Sequence, residues 1–79
     1  MIKITGIVLT YNNFDVIENC LRSMTFLDEI IVIDSSSTDK TLDIAKKYTE
    51  NVFIRPFDTF SDQRNFALSK CKNDWVIFI

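Results

Sequence analysis

The apolar pattern of this chain switches repeatedly between two periods, and that alternation restricts its fold more than any other property. Four stretches are near-continuous and rich in β-branched residues: "IKITGIVLT" (2–10), "DEIIVID" (28–34), "NVFIRP" (51–56) and "DWVIFI" (74–79). Runs of this kind suit strands covered on both faces. The stretches between them have helical spacing. In "NNFDVIENCLRSM" (12–24), Phe14, Ile17, Cys20, Leu21 and Met24 fall on one stripe, and Asn12 or Asn13 is placed to cap it. "TDKTLDIAKKY" (38–48) turns Leu42, Ala45 and Tyr48 inward, with Ser37 or Thr38 as its cap and Asp39 in its first turn. "FSDQRNFALSKC" (60–71) is the third helix, with Ser61 as its expected cap, and Pro56 stops the strand before it.

The resulting order, βαβαβαβ, predicts an α/β domain over residues 1–79: a parallel sheet with helices on both faces. Right-handed crossovers favour strand order 3-2-1-4, with the first two helices on one face and the third on the other. The chain then reverses direction between strands 1 and 4. Ligands of such sheets bind in the crevice that opens there, at the carboxyl ends of the strands.

Polar groups from three distant segments are expected at that rim. Thr10, Tyr11 and Asn12 follow strand 1, "DSSSTDKT" (34–41) follows strand 2, and Asp62, Gln63, Arg64 and Asn65 open the third helix. Asp34 either accepts hydrogen bonds from a ribose hydroxyl or a base N–H, or caps the turn after it. Tyr11 either stacks on a base or packs over the sheet edge. Arg64 in a first helical turn opposes the dipole, a penalty that a bound anion would remove. Ser35, Ser36 and Ser37 read as turn and cap residues. Asp28 and Glu29 precede strand 2 at the opposite end and are expected to face solvent. The aromatics Phe53, Phe57, Phe60, Phe66, Trp75 and Phe78 are expected mostly in the core.

Composition removes several chemistries. The chain of 79 residues has no histidine, and Cys20 and Cys71 lack CxxC partners. A zinc site and His-dependent nucleophilic centres are therefore excluded within it. Both cysteines read as buried small hydrophobes of a reducing compartment. Net charge −2 gives no electrostatic case for nucleic acid. The single glycine, Gly6, lies inside strand 1, so neither GxGxxG nor a P-loop is present. Phosphate would have to be met by Arg, a helix N-terminus or a metal ion. No apolar run approaches the ~20 residues of a membrane span, and the N-terminus reads as a strand rather than a signal peptide. A cytoplasmic setting is the default expectation, with membrane association left open for a complete enzyme.

Taken together, "GIVLTYNN", "DEIIVIDSSSTDKTLDIAKKY", "FSDQRNFAL" and "NDWVIFI" resemble the start of family 2 glycosyltransferases, which have the GT-A fold. The "DSSSTDKT" and "RPFDTFSDQRNFAL" segments look most like members that add sugars to lipopolysaccharide or lipooligosaccharide cores. The resemblance implies an inverting transferase with a UDP-sugar donor and a glycan or lipid-linked acceptor. It implies that Thr10, Tyr11 and Asn12 hold the nucleoside, that Asp34 contacts uracil or ribose, and that Arg64 reaches the base or phosphate side. One departure is Leu9, where the family often has Pro. In the family an Asp-x-Asp motif follows the strand represented by "WVIFI" and holds Mg²⁺ or Mn²⁺. Neither that motif nor a catalytic base is found by Ile79. The chain is thus expected to be the amino-terminal, nucleotide-binding part of a transferase, with no metal or catalytic residue of its own and no sugar transfer alone.

Two other readings compete. One is a non-catalytic α/β module that binds a partner or itself through an open, apolar edge at strand 4. The other is a phospho-receiver-like domain, which needs acids where this chain has Thr10-Tyr11-Asn12 and Arg55-Pro56.

Overall fold

In the computed structural model, which describes residues 3–73 and 75–79, the elements follow the predicted order. They are β1 (Ile4–Thr10), α1 (Phe14–Ser23), β2 (Glu29–Asp34), α2 (Thr41–Ala45), β3 (Val52–Ile54), α3 (Phe60–Lys70) and β4 (Trp75–Phe78). Ile2 and Asp74, expected within strands 1 and 4, and Met1 at the expected strand-like N-terminus, lie outside the described residues. The four strands form one sheet in the order β3-β2-β1-β4, and every neighbouring pair is parallel. This is the expected α/β architecture.

The period-2 alternation of the strands divides the core in two. Val8, Ile30 and Val32 pack with Ile17, Leu21 and Met24 of α1 and Ala45 of α2. Ile7, Ile31 and Ile33 pack with Ala67 of α3 on the other face. The two central strands carry most of this burial, and each large aliphatic side chain removed from water there contributes about 1.5–3 kcal/mol. The sheet thins outward: Val52 and Phe53 are half-buried, and Trp75 and Ile77 of β4 are exposed.

Several local expectations are corrected. The apolar stripe of α1 begins at Ile17, because Phe14 is exposed. The N-cap position of α1 is Asn13, and its side chain makes no capping bond. The second helix starts at Thr41, so Asp39 precedes it, and neither Ser37 nor Thr38 occupies its N-cap position. The cap of α3 is Thr59, which accepts from the N–H of Asp62 at 3.1 Å, and Ser61 already lies inside the helix. Asp28 faces solvent as expected, whereas Glu29 is half-buried, and both also tie down strand and loop starts. Asp28 accepts from the N–H of Ile4 at 2.7 Å, and Glu29 from the Thr5 hydroxyl at 2.8 Å and the N–H of Lys72 at 3.2 Å. Cys20 and Cys71 are free and half-buried rather than enclosed. Partial burial, with the Glu29 charge second, pushes the Cys71 thiol up.

Candidate functional site

The loops after β1 and β2 interlock. Thr10 stands opposite Asp34 in the parallel register, and the N–H of Ser35 donates to the Thr10 carbonyl at 2.9 Å. Beyond that point each loop satisfies the other. The N–H of Asn12 donates to the Ser37 hydroxyl at 2.8 Å, and the N–H of Thr38 donates to Oδ1 of Asn12 at 2.8 Å. The N–H of Asn13 donates to the Thr41 hydroxyl at 2.9 Å, and that of Phe14 to Asp39 at 3.4 Å. Two amides at the start of α1, those of Asn13 and Phe14, are therefore satisfied by side chains at the start of α2 and just before it. This accounts for the many hydroxyls and acids after β2. They serve two helix starts and one tight loop, where Asn12 (φ 48°) and Ser36 (φ 66°) adopt left-handed backbone.

Asp34 is fully buried (0% exposed). Its carboxylate accepts from the N–H of Ser37 at 2.6 Å and from the Ser37 hydroxyl at 2.5 Å. The turn-capping role is therefore filled, and through Ser37 the carboxylate also steadies Asn12. Asp39 accepts from the Thr41 hydroxyl and N–H as well as from Phe14. Partial burial pulls its pKa upward, but these hydrogen bonds outweigh that and hold it below the usual value.

A cavity of about 400 Å³ opens at the carboxyl ends of β1 and β2, lined by Leu9, Thr10, Tyr11, Ser35, Phe57, Phe60 and Gln63. This volume falls within the ~300–1,000 Å³ of small-molecule sites. A larger one, about 660 Å³, lies at the opposite end of the strands, beside Lys3, Asp28, Glu29, Tyr48 and Lys72. Position favours the smaller, because ligands of open α/β sheets bind at the carboxyl ends, beside the switch point. Its walls are mainly apolar with a few polar groups, the pattern of a small-molecule site.

Of the five sequence-predicted site residues, the structure brings Thr10 and Tyr11 into this cavity wall. Asn12 is the next residue in the loop and supports it through the two bonds above. Asp34 is not part of the lining. It shares the sheet face of Val32, which packs toward α1 and α2, whereas Gln63 of α3 bounds the cavity from the other side. Arg64 is exposed, with its guanidinium 4.6 Å from the ring centroid of Phe78 in β4. It lies in the second turn of α3, which begins at Phe60, so the dipole penalty inferred from the sequence does not apply to it.

The cavity residues that sequence reasoning missed are aromatic. Phe57 (50% exposed) and Phe60 (71% exposed) stand at the rim rather than in the core, their rings edge-to-face at 4.9 Å. Trp75 is also exposed, so the expectation of a mostly buried aromatic set is corrected to the half-buried Phe53, Phe66 and Phe78. Gln63 is 1% exposed and spans the base of the cavity. The sequence placed it at this rim with the rest of the polar "SDQRN" run, and only the fold shows that it is buried. The nearby Arg55 forms a two-point ion pair with Asp58, at 2.9 and 3.1 Å. That pair and the Thr59 N–H hold the Asp58 carboxyl down at about 2.

Among the described residues no group of three His, Cys, Asp or Glu could hold a metal ion. Among the described residues no helix is long and apolar enough to cross a membrane.

Comparison with known proteins agrees with this fold. A TarS crystal structure from Staphylococcus aureus (residues 1–349) superposes with TM-score 0.77 at 33% identity, covering 99% of this chain and 27% of that one. The poly(ribitol-phosphate) β-N-acetylglucosaminyltransferase TarS of S. aureus strain Mu50 is 34% identical, over 100% of this chain and 16% of its own length. A glycosyltransferase of Rickettsia bellii is 40% identical, over 98% of this chain and 26% of its own length. The lipopolysaccharide core biosynthesis glycosyltransferase LpsC of Rhizobium meliloti is 24% identical, over 99% of this chain and 31% of its own. The chain thus spans roughly a third or less of the curated relatives it matches. The model of glycosyl transferase family 2 matches residues 5–79, and with the shared GT-A fold and the crevice at the switch point, the chain belongs to that family.

Proposed function

We propose that this chain forms the nucleotide-recognising part of an inverting glycosyltransferase that uses a UDP-sugar donor. The observation that carries this is the aromatic-lined cavity at the carboxyl ends of β1 and β2. A base fits between Tyr11 and the Phe57–Phe60 pair, where stacking on an aromatic face contributes about 1–3 kcal/mol. Thr10 and Asn12 fix the loop that carries Tyr11, and Asp34 fixes Asn12 through Ser37. Arg64, at the carboxyl end of β4, is the cation for the diphosphate. In this reading a Mg²⁺ or Mn²⁺ ion is held by carboxylates outside these 79 residues. The likeness to LpsC and TarS supports a glycan or cell-surface polymer as acceptor, with a lipopolysaccharide core as the more specific reading. A cytoplasmic site of action goes with a nucleotide-sugar donor.

Titration of the chain with UDP, followed by amide chemical shifts, tests this. Expected are weak, saturable shifts at residues 10–12, 35 and 63, with affinity reduced by Tyr11→Ala and by Arg64→Ala. Absence of any shift at millimolar UDP overturns the reading.

A second reading, self-association, is favoured by one observation: Trp75 and Ile77 of the edge strand β4, and Ile79 just past it, are exposed. Light scattering should then show mass rising with concentration and Ile77→Lys suppressing the rise. A monomer throughout rejects it.

A further inference from the structure

The amide of Gln63 is buried, and both of its ends are engaged. Oε1 accepts from Nη1 of Arg55 at 2.7 Å. Nε2 donates to the Arg55 carbonyl at 3.0 Å and to the Ser35 hydroxyl at 3.1 Å. A guanidinium only donates, so Arg55 dictates which end of the amide faces it. Turning the amide over would set N–H against N–H on one side and oxygen against a carbonyl on the other. Arg55 is itself held by both oxygens of Asp58. An ion pair at the surface therefore fixes the orientation of a buried amide, and the amide fixes a hydroxyl on the cavity wall.

The consequence falls on Ser35. Its hydroxyl has one hydrogen and two lone pairs, and Gln63 occupies a lone pair. Among the described residues no acceptor takes the Ser35 O–H. The proton is free for a ligand, in a cavity whose other walls are largely Leu9, Tyr11, Phe57 and Phe60. A carbonyl opposite Ser35 satisfies that proton. An amino group there can use only the remaining lone pair and leaves the proton without a partner.

Building on the nucleotide reading above, we propose that Ser35 selects a base by a ring carbonyl, and that Gln63 is the positioning residue keeping its hydroxyl turned as a donor. Uracil presents a carbonyl at C4, where cytosine presents an amino group. The Arg55–Gln63–Ser35 relay thus favours a uridine over a cytidine diphosphate.

Affinities of UDP and CDP, measured by calorimetry on the full chain and its variants, test this. The wild type is expected to prefer UDP by about 3- to 10-fold, the range of one neutral hydrogen bond. Ser35→Ala should lower UDP affinity by a similar factor, leave CDP almost unchanged and bring the ratio near one. Gln63→Glu keeps an acceptor for Arg55 but removes the donor to Ser35, so the hydroxyl reverses and the ratio again collapses. A merely structural role for Gln63 would weaken both nucleotides equally. Ser35→Ala retains the backbone bond to Thr10 and carries the test if Gln63→Glu does not fold. Equal wild-type affinity for UDP and CDP, or a ratio unmoved by both variants, overturns the relay while leaving nucleotide binding intact. Failure of the wild type to bind either nucleotide overturns the nucleotide reading, and the relay with it.

Discussion

Asn12 and Ser37 are joined across two loops, the backbone N–H of Asn12 donating to the Ser37 hydroxyl at 2.8 Å while that hydroxyl donates onward to Asp34. The bond holds Asn12 in left-handed backbone at φ 48°, which asparagine tolerates better than alanine. Asn12→Ala should therefore cost more stability than Asn12→Gly, by about 1–2 kcal/mol. Both variants lose the side-chain bond to Thr38, so their difference isolates the backbone term. Urea midpoints measure it, and equal midpoints would show that the conformation is unstrained.

Thr41 is fully buried, and its hydroxyl accepts from the N–H of Asn13 while donating to Asp39. Thr41→Val keeps the shape and leaves that amide without a partner. The expected loss is about 1–3 kcal/mol of unfolding free energy. A loss confined to a few tenths would mean that water replaces the cap.

Asp58 gives stability a specific acid dependence. Its carboxyl is held at about 2 rather than 3.8, first by the Arg55 guanidinium and then by the Thr59 N–H. A folded-state value below the unfolded one contributes stability that is present above about pH 4 and is lost as pH falls toward 2. Asp58→Asn should remove this part of the acid dependence, so the urea midpoint of the variant changes less than that of the wild type between pH 4 and pH 2. Identical pH profiles would contradict the pairing.

Gly6 lies where β1 passes beneath the end of α1. A methyl group there would meet the terminal atoms of Met24 and Leu27 closer than van der Waals contact. Gly6→Ala should destabilise by about 1–3 kcal/mol, the usual range for overpacking, at the lower end if the Met24 terminus swings aside. Unchanged or increased thermal stability would show that the helix has room to shift.

The strand order was legible because right-handed crossovers restrict it, and the two core faces because they follow from period. Ile7, Ile31 and Ile33 against Val8, Ile30 and Val32 are separated by nothing more than alternation along β1 and β2. The caps were not legible in the same way. Local rules name a residue just before the helix, yet α1 is capped by Asp39 and Thr41 from far along the chain. Phe57 and Phe60 were assigned to the core because aromatic side chains usually go there, and nothing local marks a loop that holds them at a rim. Thr10 and Tyr11 were found from the position of their strand. Gln63 and Ser35 were expected at the rim, but the bond between them needed the tertiary fold, since it links residues 28 apart in sequence.

The remote capping of α1 also bears on the order in which the chain assembles. When residues 14–23 leave the ribosome, the groups that complete their first turn are still inside it. Thr41 follows Asn13 by 28 residues, so the opening turn of that helix stays frayed until β2 has emerged and docked beside β1. The nascent segment should therefore mature in one concerted step at that point, with the cavity wall around Tyr11 appearing together with the second strand and not before it.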